Sequence, residues 1–129
     1  MTVAAAADVN PDSSGRASPI VVRIYQLKDD SKYNNADFFA LFDDDQKVLG
    51  ADMLVREEVE LAPGEQRQVD VAVAGEAKFV AAMAAYRDIR NAQWRVSQPA
   101  PKKGLKNIVK KDAVTIKAER AKVTLTVAD

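Results

Sequence analysis

The 129-residue sequence contains no cysteine and no histidine. Without Cys there is no disulfide, no thiol nucleophile and no thiolate metal site. Without His, the commonest general base and the commonest transition-metal ligand are both missing. Charge of one sign is lacking too: 19 Lys+Arg balance 19 Asp+Glu, so the formal net charge is zero. No global field draws such a chain to nucleic acid or to an anionic membrane surface. No apolar run approaches the roughly 18 residues of a transmembrane helix, and no export signal is visible at the start. Glycine-rich phosphate loops, nucleophile elbows and metal-ligand spacings are absent as well. Glu57 and Glu58 are neighbours on a predicted strand, so they point to opposite faces and cannot act as a glycosidase pair. Nothing in the residues demands catalysis, a cofactor, a metal or a small-molecule substrate.

What is present is β periodicity. The length predicts one domain over 1–129 with a real core. Its clearest strand is Pro19–Leu27, PIVVRIYQL. Val22 and Ile24 face one way; Val21, Arg23, Tyr25 and Leu27 face the other, which Arg23 marks as a half-covered side. Thr2–Val9 reads as a first strand near a sheet edge. Leu54–Ala62 and Glu65–Ala74 read as a hairpin around Pro63-Gly64, with Val59, Leu61, Val69, Val71 and Val73 facing the core. Gln93–Ser97 is a short strand. Asp112–Ala118 and Lys122–Ala128 form a last hairpin around Glu119-Arg120. Residues 76–90, EAKFVAAMAAYRDIR, are ambiguous. Alanine content favours a helix, whereas period two gives a strand apolar on both faces.

One short helix is predicted over Asn34–Phe42. Asn34 or Asn35 caps it, Asp37 lies in its first turn, and Phe38, Leu41 and Phe42 share the buried face. Asp43–Asp45 then reads as a solvated acidic turn, because the spaced acids and glycine of a Ca²⁺ loop are missing. Gln98–Lys111, with five lysines and no acid, reads as an ordinary solvated loop. Short strands with regular turns and one added helix predict a mainly β, two-sheet β-sandwich.

The connection Asn10–Ser18, NPDSSGRAS, exceeds the roughly two to five residues of a common hairpin link. Composition alone favours a mobile tip over a binding loop held by two strands.

Three stretches in this order, AADVNPDSSGRASPIVVRIYQL (6–27), ADFFALFDDDQKVL (36–49) and AYRDIRNAQWR (85–95), with the PGE turn between the last two, resemble the outer-membrane lipoproteins of the type VI secretion system, the TssJ (SciN/VasD) family. The resemblance implies a transthyretin-like sandwich and makes Lys78–Arg87 a strand. It implies a non-enzymatic structural component that tethers the periplasmic C-terminal region of the inner-membrane protein TssM to the outer membrane. The anchor would be an acylated N-terminal Cys at the periplasmic face of that membrane. Met1 stands where that Cys is expected, so this chain should be soluble. The family's recognised partner loop maps onto Asn10, Pro11, Asp12, Ser13, Ser14, Gly15, Arg16, Ala17 and Ser18. Two other classes compete. A hydroxyisourate hydrolase of transthyretin type would need histidines. A carbohydrate-binding or adhesin sandwich would need an exposed aromatic platform.

Overall fold

The computed structural model describes residues 1–101 and 113–128. Most of the lysine-rich stretch read as a loop, Lys102–Lys111, lies outside the described residues.

Strand β2, Ile20–Leu27, is the centre of the molecule. It pairs antiparallel with β3, Met53–Leu61, on one side and with β5, Phe79–Ala84, on the other. β6, Arg95–Pro99, adds to β5 and completes one sheet, in the order β3-β2-β5-β6. The second sheet runs β4-β1-β7-β8, from β1 (Thr2–Ala5), β4 (Gln66–Gln68), β7 (Val114–Ala118) and β8 (Val123–Val127). β1 lies parallel to β7 and antiparallel to β4, one strand in from the edge.

Ile20, Val22 and Ile24 meet Val3, Val114, Ile116 and Leu125 between the sheets. The opposite face of β2 is not half covered: Tyr25 and Leu27 are buried there under a helical layer with Tyr33, Leu41 and Leu49. β5 explains why alanine content did not make a helix. Val80, Ala82 and Ala84 face the other sheet, while Ala81 and Met83 face the helical layer, and all five are buried. Small side chains let both layers approach, and ladders on both sides satisfy the backbone, so tertiary pairing overrides propensity.

Three elements differ from the sequence reading. First, the helical part is not one helix over Asn34–Phe42. It is α1, Ser31–Asn35, α2, Phe38–Asp43, and α3, Asp45–Leu49, in succession. Ala36 is extended, and Asp37 is the N-cap of α2, accepting from the main-chain N of Ala40 at 2.8 Å. A chain that must cap there cannot be helix interior. Arg95 holds the break: its Nη1 donates to the carbonyls of Tyr33 (2.7 Å) and Ala36 (2.6 Å), a cation at the end of α1.

Second, the residues around Pro63-Gly64 are not a hairpin. β3 and β4 belong to different sheets, and the turn carries the chain between them. Gly64 has φ +79°, as position i+2 of a type II turn requires. Beyond β4 the expected strand does not continue. Gln26 takes the place of a neighbouring strand: its Nε2 donates to Ala72 O (2.9 Å) and its Oε1 accepts from Ala74 N (2.7 Å). The inward pattern survives, with Val69 buried and Val71 and Val73 packed on the core.

Third, the acidic turn is split. Asp43 and Asp44 are exposed, but Asp45 is buried. Its Oδ2 accepts from the Tyr25 hydroxyl at 2.9 Å and lies 3.4 Å from Arg23 Nη1 and 3.2 Å from Arg56 Nε. Arg23, also buried, donates through Nη2 to Glu58 Oε1 at 2.8 Å and lies over the Phe42 ring. Burial alone opposes the guanidinium charge. Hydrogen bonds to Tyr25 and Glu58 outweigh it and hold the pKa of Arg23 above its ordinary value.

Candidate partner-binding site

At one end of the sandwich the 10–18 connection leaves β1 and returns into β2. Val9 is fully buried, and Ser18 N donates to Val9 O at 3.1 Å, closing the base of the loop. Asn10 follows with φ +53°, a left-handed conformation that asparagine tolerates better than most residues. It is only 3% exposed. Its main-chain N donates to Arg120 O (3.0 Å), its Nδ2 donates to Pro19 O (2.9 Å), and its Oδ1 accepts from Arg87 N (2.8 Å). A single asparagine thus ties both ends of the loop to the segment after β5 and to the β7–β8 turn. Tyr86 adds a second tie, its hydroxyl donating to Glu119 O at 2.8 Å.

The tip is stapled to itself. Asp12 Oδ1 accepts from Ser14 N (2.9 Å), Ser14 Oγ (2.7 Å) and Arg16 N (3.0 Å), while Asp12 N donates to Arg16 O (2.8 Å). The Ser14 hydroxyl and the Arg16 amide hold the Asp12 carboxyl below the usual carboxylate range. Gly15, at φ +85°, closes the turn with its N–H on Asp12 O at 2.9 Å. This bonding is not that of a mobile tip. It leaves the Arg16 side chain 84% exposed, tethered among the described residues only by Nε to Ser14 Oγ at 3.2 Å and to Asp12 at 3.6 Å.

The nine residues expected at this site therefore divide. Asn10 is buried and anchors the loop from within. Pro11, Asp12, Ser13 and Gly15 line an open cleft of about 670 Å³. Ser14 and Arg16 form the outer tip, and Ala17 and Ser18 lie half-buried on the return. The far wall holds residues that the sequence reading did not assign: Arg87 and Asp88, Asn91 and Ala92, and Arg120 and Ala121. Arg87 and Asp88 lie within a stretch quoted for the family resemblance, but their closeness to the loop depends on the topology.

The aromatic residues do gather elsewhere. Phe38 stacks on Phe42 and meets Phe39 and Trp94 edge-on. Among the described residues only Phe39 is a well-exposed large hydrophobic, at 63%. One ring is not a platform for stacking a sugar. Among the described residues no helix is long and apolar enough to cross a membrane.

A family model described as "Type VI secretion lipoprotein, VasD, EvfM, TssJ" matches residues 1–126. The chain belongs to this family. Its fold is similar to the T6SS lipoprotein TssJ1 from Pseudomonas aeruginosa, with a TM-score of 0.82, 29% identity, and 99% of this chain and 93% of the other covered. Serratia marcescens Lip, a membrane-bound component of the type VI secretion system, shares the fold at TM-score 0.81 and 24% identity, over 99% and 96% of the two chains. A chain in the structure described as the TssM C-terminal domain (869-1107) from EAEC aligns at TM-score 0.77 and 28% identity, over 99% and 96%. No curated protein matches. The mainly β sandwich with added helices is thus the fold of a type VI secretion lipoprotein.

Proposed function

We propose that this chain is a non-enzymatic tether of the type VI secretion trans-envelope complex. It binds the periplasmic C-terminal region of TssM and, as a lipoprotein, holds it at the periplasmic face of the outer membrane. Asn10–Ser18 is the main contact. The observation that carries this reading is the loop itself: a tip stapled by Asp12, anchored by Asn10 to two other segments, and presenting an exposed guanidinium. A preordered loop loses little entropy on binding. Support also comes from the chain of this fold found in a structure of the TssM C-terminal domain, and from another, 30% identical, in a structure described as the type VI membrane complex. Both concern other proteins.

Calorimetry with the TssM fragment from the same secretion cluster tests it. Replacing Asp12–Arg16 with a short turn should abolish most binding and leave folding intact, because the tip buries little. Arg16→Ala should cost more than about 1 kcal/mol of binding. A loop-replaced variant that folds and binds as tightly as the parent refutes the reading.

A further inference from the structure

We infer that the cleft behind the loop takes an acidic segment of the same partner, with Arg87 and Arg120 as its carboxylate receptors. The inference rests on the loop being the partner site, and it extends that site across the cleft.

The donor and acceptor inventory of the cleft carries it. Of the acids lining it, Asp12 already accepts from Ser14 and Arg16, and both oxygens of Asp88 accept from Asn91 Nδ2 at 3.0 Å. The basic side chains are unspent. The guanidiniums of Arg87 and Arg120 are exposed and make no hydrogen bond or ion pair among the described residues, although Arg87 acts on Asp12 through space. Each carries five N–H donors in a planar fork and no acceptor. A partner that fills the cleft strips water from these forks, and donors left bare then cost binding energy. Carboxylates answer them bidentately, which main-chain carbonyls cannot do.

An extended acidic segment suits the cleft better than a free anion. At about 670 Å³ the cleft is far larger than one ion, and Pro11, Ala92 and Ala121 give it apolar wall. No buried unpaired polar side chain among the described residues builds a closed anion site. The arginines are also fixed relative to the loop at their main chains. Asn10 Oδ1 holds Arg87 N, and Asn10 N holds Arg120 O, so loop tip and cleft wall form one rigid surface.

The test is calorimetry of R87A, R120A and the double variant against the periplasmic C-terminal fragment of TssM, at low and at physiological salt. Neither side chain supports the fold, so thermal midpoints should stay at the parent value. The double variant is expected to bind at least about tenfold more weakly, with a smaller salt dependence than the parent. R87K/R120K should recover only part of the loss, because lysine keeps the charge and lacks the fork. A double variant that binds as the parent does, while replacement of Asp12–Arg16 abolishes binding, overturns the cleft and leaves the loop reading standing. If loop replacement also has no effect, or the parent does not bind the fragment, the proposed function falls and this inference with it.

Discussion

Arg23 is the residue most open to misreading from sequence. On a strand of Val, Ile, Tyr and Leu it marks the outer face, and a strand's outer arginine usually reaches water. Here it is buried with Asp45 beneath α2, and Tyr25, Glu58 and the Phe42 carbonyl also accept from it. The signal was present in Asp45, an acid in the third position of DDD, but the partner lies 22 residues away and no local rule joins them. A buried pair broken on one side leaves an uncompensated charge. Arg23→Ala should therefore destabilise by about 3–5 kcal/mol, toward the lower value because Arg56 still faces Asp45. Replacing Arg23 and Asp45 together with apolar residues should cost less than the single change. Denaturant melts of the three variants check both statements, and a double variant as unstable as Arg23→Ala would remove the ion pair as the cause.

At the scale of the element, β2, β3, β6 and the last hairpin were legible because alternation of apolar residues fixes the buried face, whereas β5, apolar on both faces, reads as a strand only through the family resemblance. Alternation does not say which sheet a strand joins. Val69, Val71 and Val73 were correctly placed inward, yet the chain had crossed to the other sheet at Gly64, a choice set by packing and not by turn chemistry. The helical layer was legible as a phenylalanine stripe and illegible in its breaks, since Ala36 suits a helix interior and Asp37 suits a first helical turn as well as a cap. The structure also reorders the stripe. Leu41 is fully buried, whereas Phe38 and Phe42 are only half-buried. Leu41→Ala should cost about 2–5 kcal/mol, and Phe42→Ala less than a fully buried phenylalanine would. Asp37→Ala should cost about 1 kcal/mol through loss of the α2 cap. Equal midpoints for Leu41→Ala and the parent would mean that α2 does not pack on Tyr25 and Met83.

The three tyrosines of the whole molecule report on its two cores together. Tyr25 and Tyr33 lie under the helical layer, Tyr86 lies at the end of the sandwich, and all are buried. Burial raises the pKa of each phenol: Tyr25 rises to about 12, and Tyr33 and Tyr86 higher still. A phenol whose folded pKa exceeds its unfolded pKa contributes stability that is full below the unfolded value, near 10. That stability is lost as pH rises through the folded value. Ultraviolet titration should therefore show little phenolate near pH 10 and then a cooperative rise coincident with loss of tertiary structure. An independent, reversible phenolate signal near pH 10 with the fold intact would show at least one tyrosine to be solvent-open.

The sandwich and the loop could be read from the sequence, but the cleft could not. Asn10, Arg87 and Arg120 are remote in the chain, and only the topology brings them to one end of the molecule. Whether that end is the partner surface is decided most directly by hydrogen exchange of the chain alone and with the TssM fragment. Slowed exchange is expected in 10–18, accompanied by 87–92 and 119–121, with the helical layer and the outer strand β3 unchanged. Protection at the helical layer or at β3, with 10–18 exchanging as in the free chain, would contradict it.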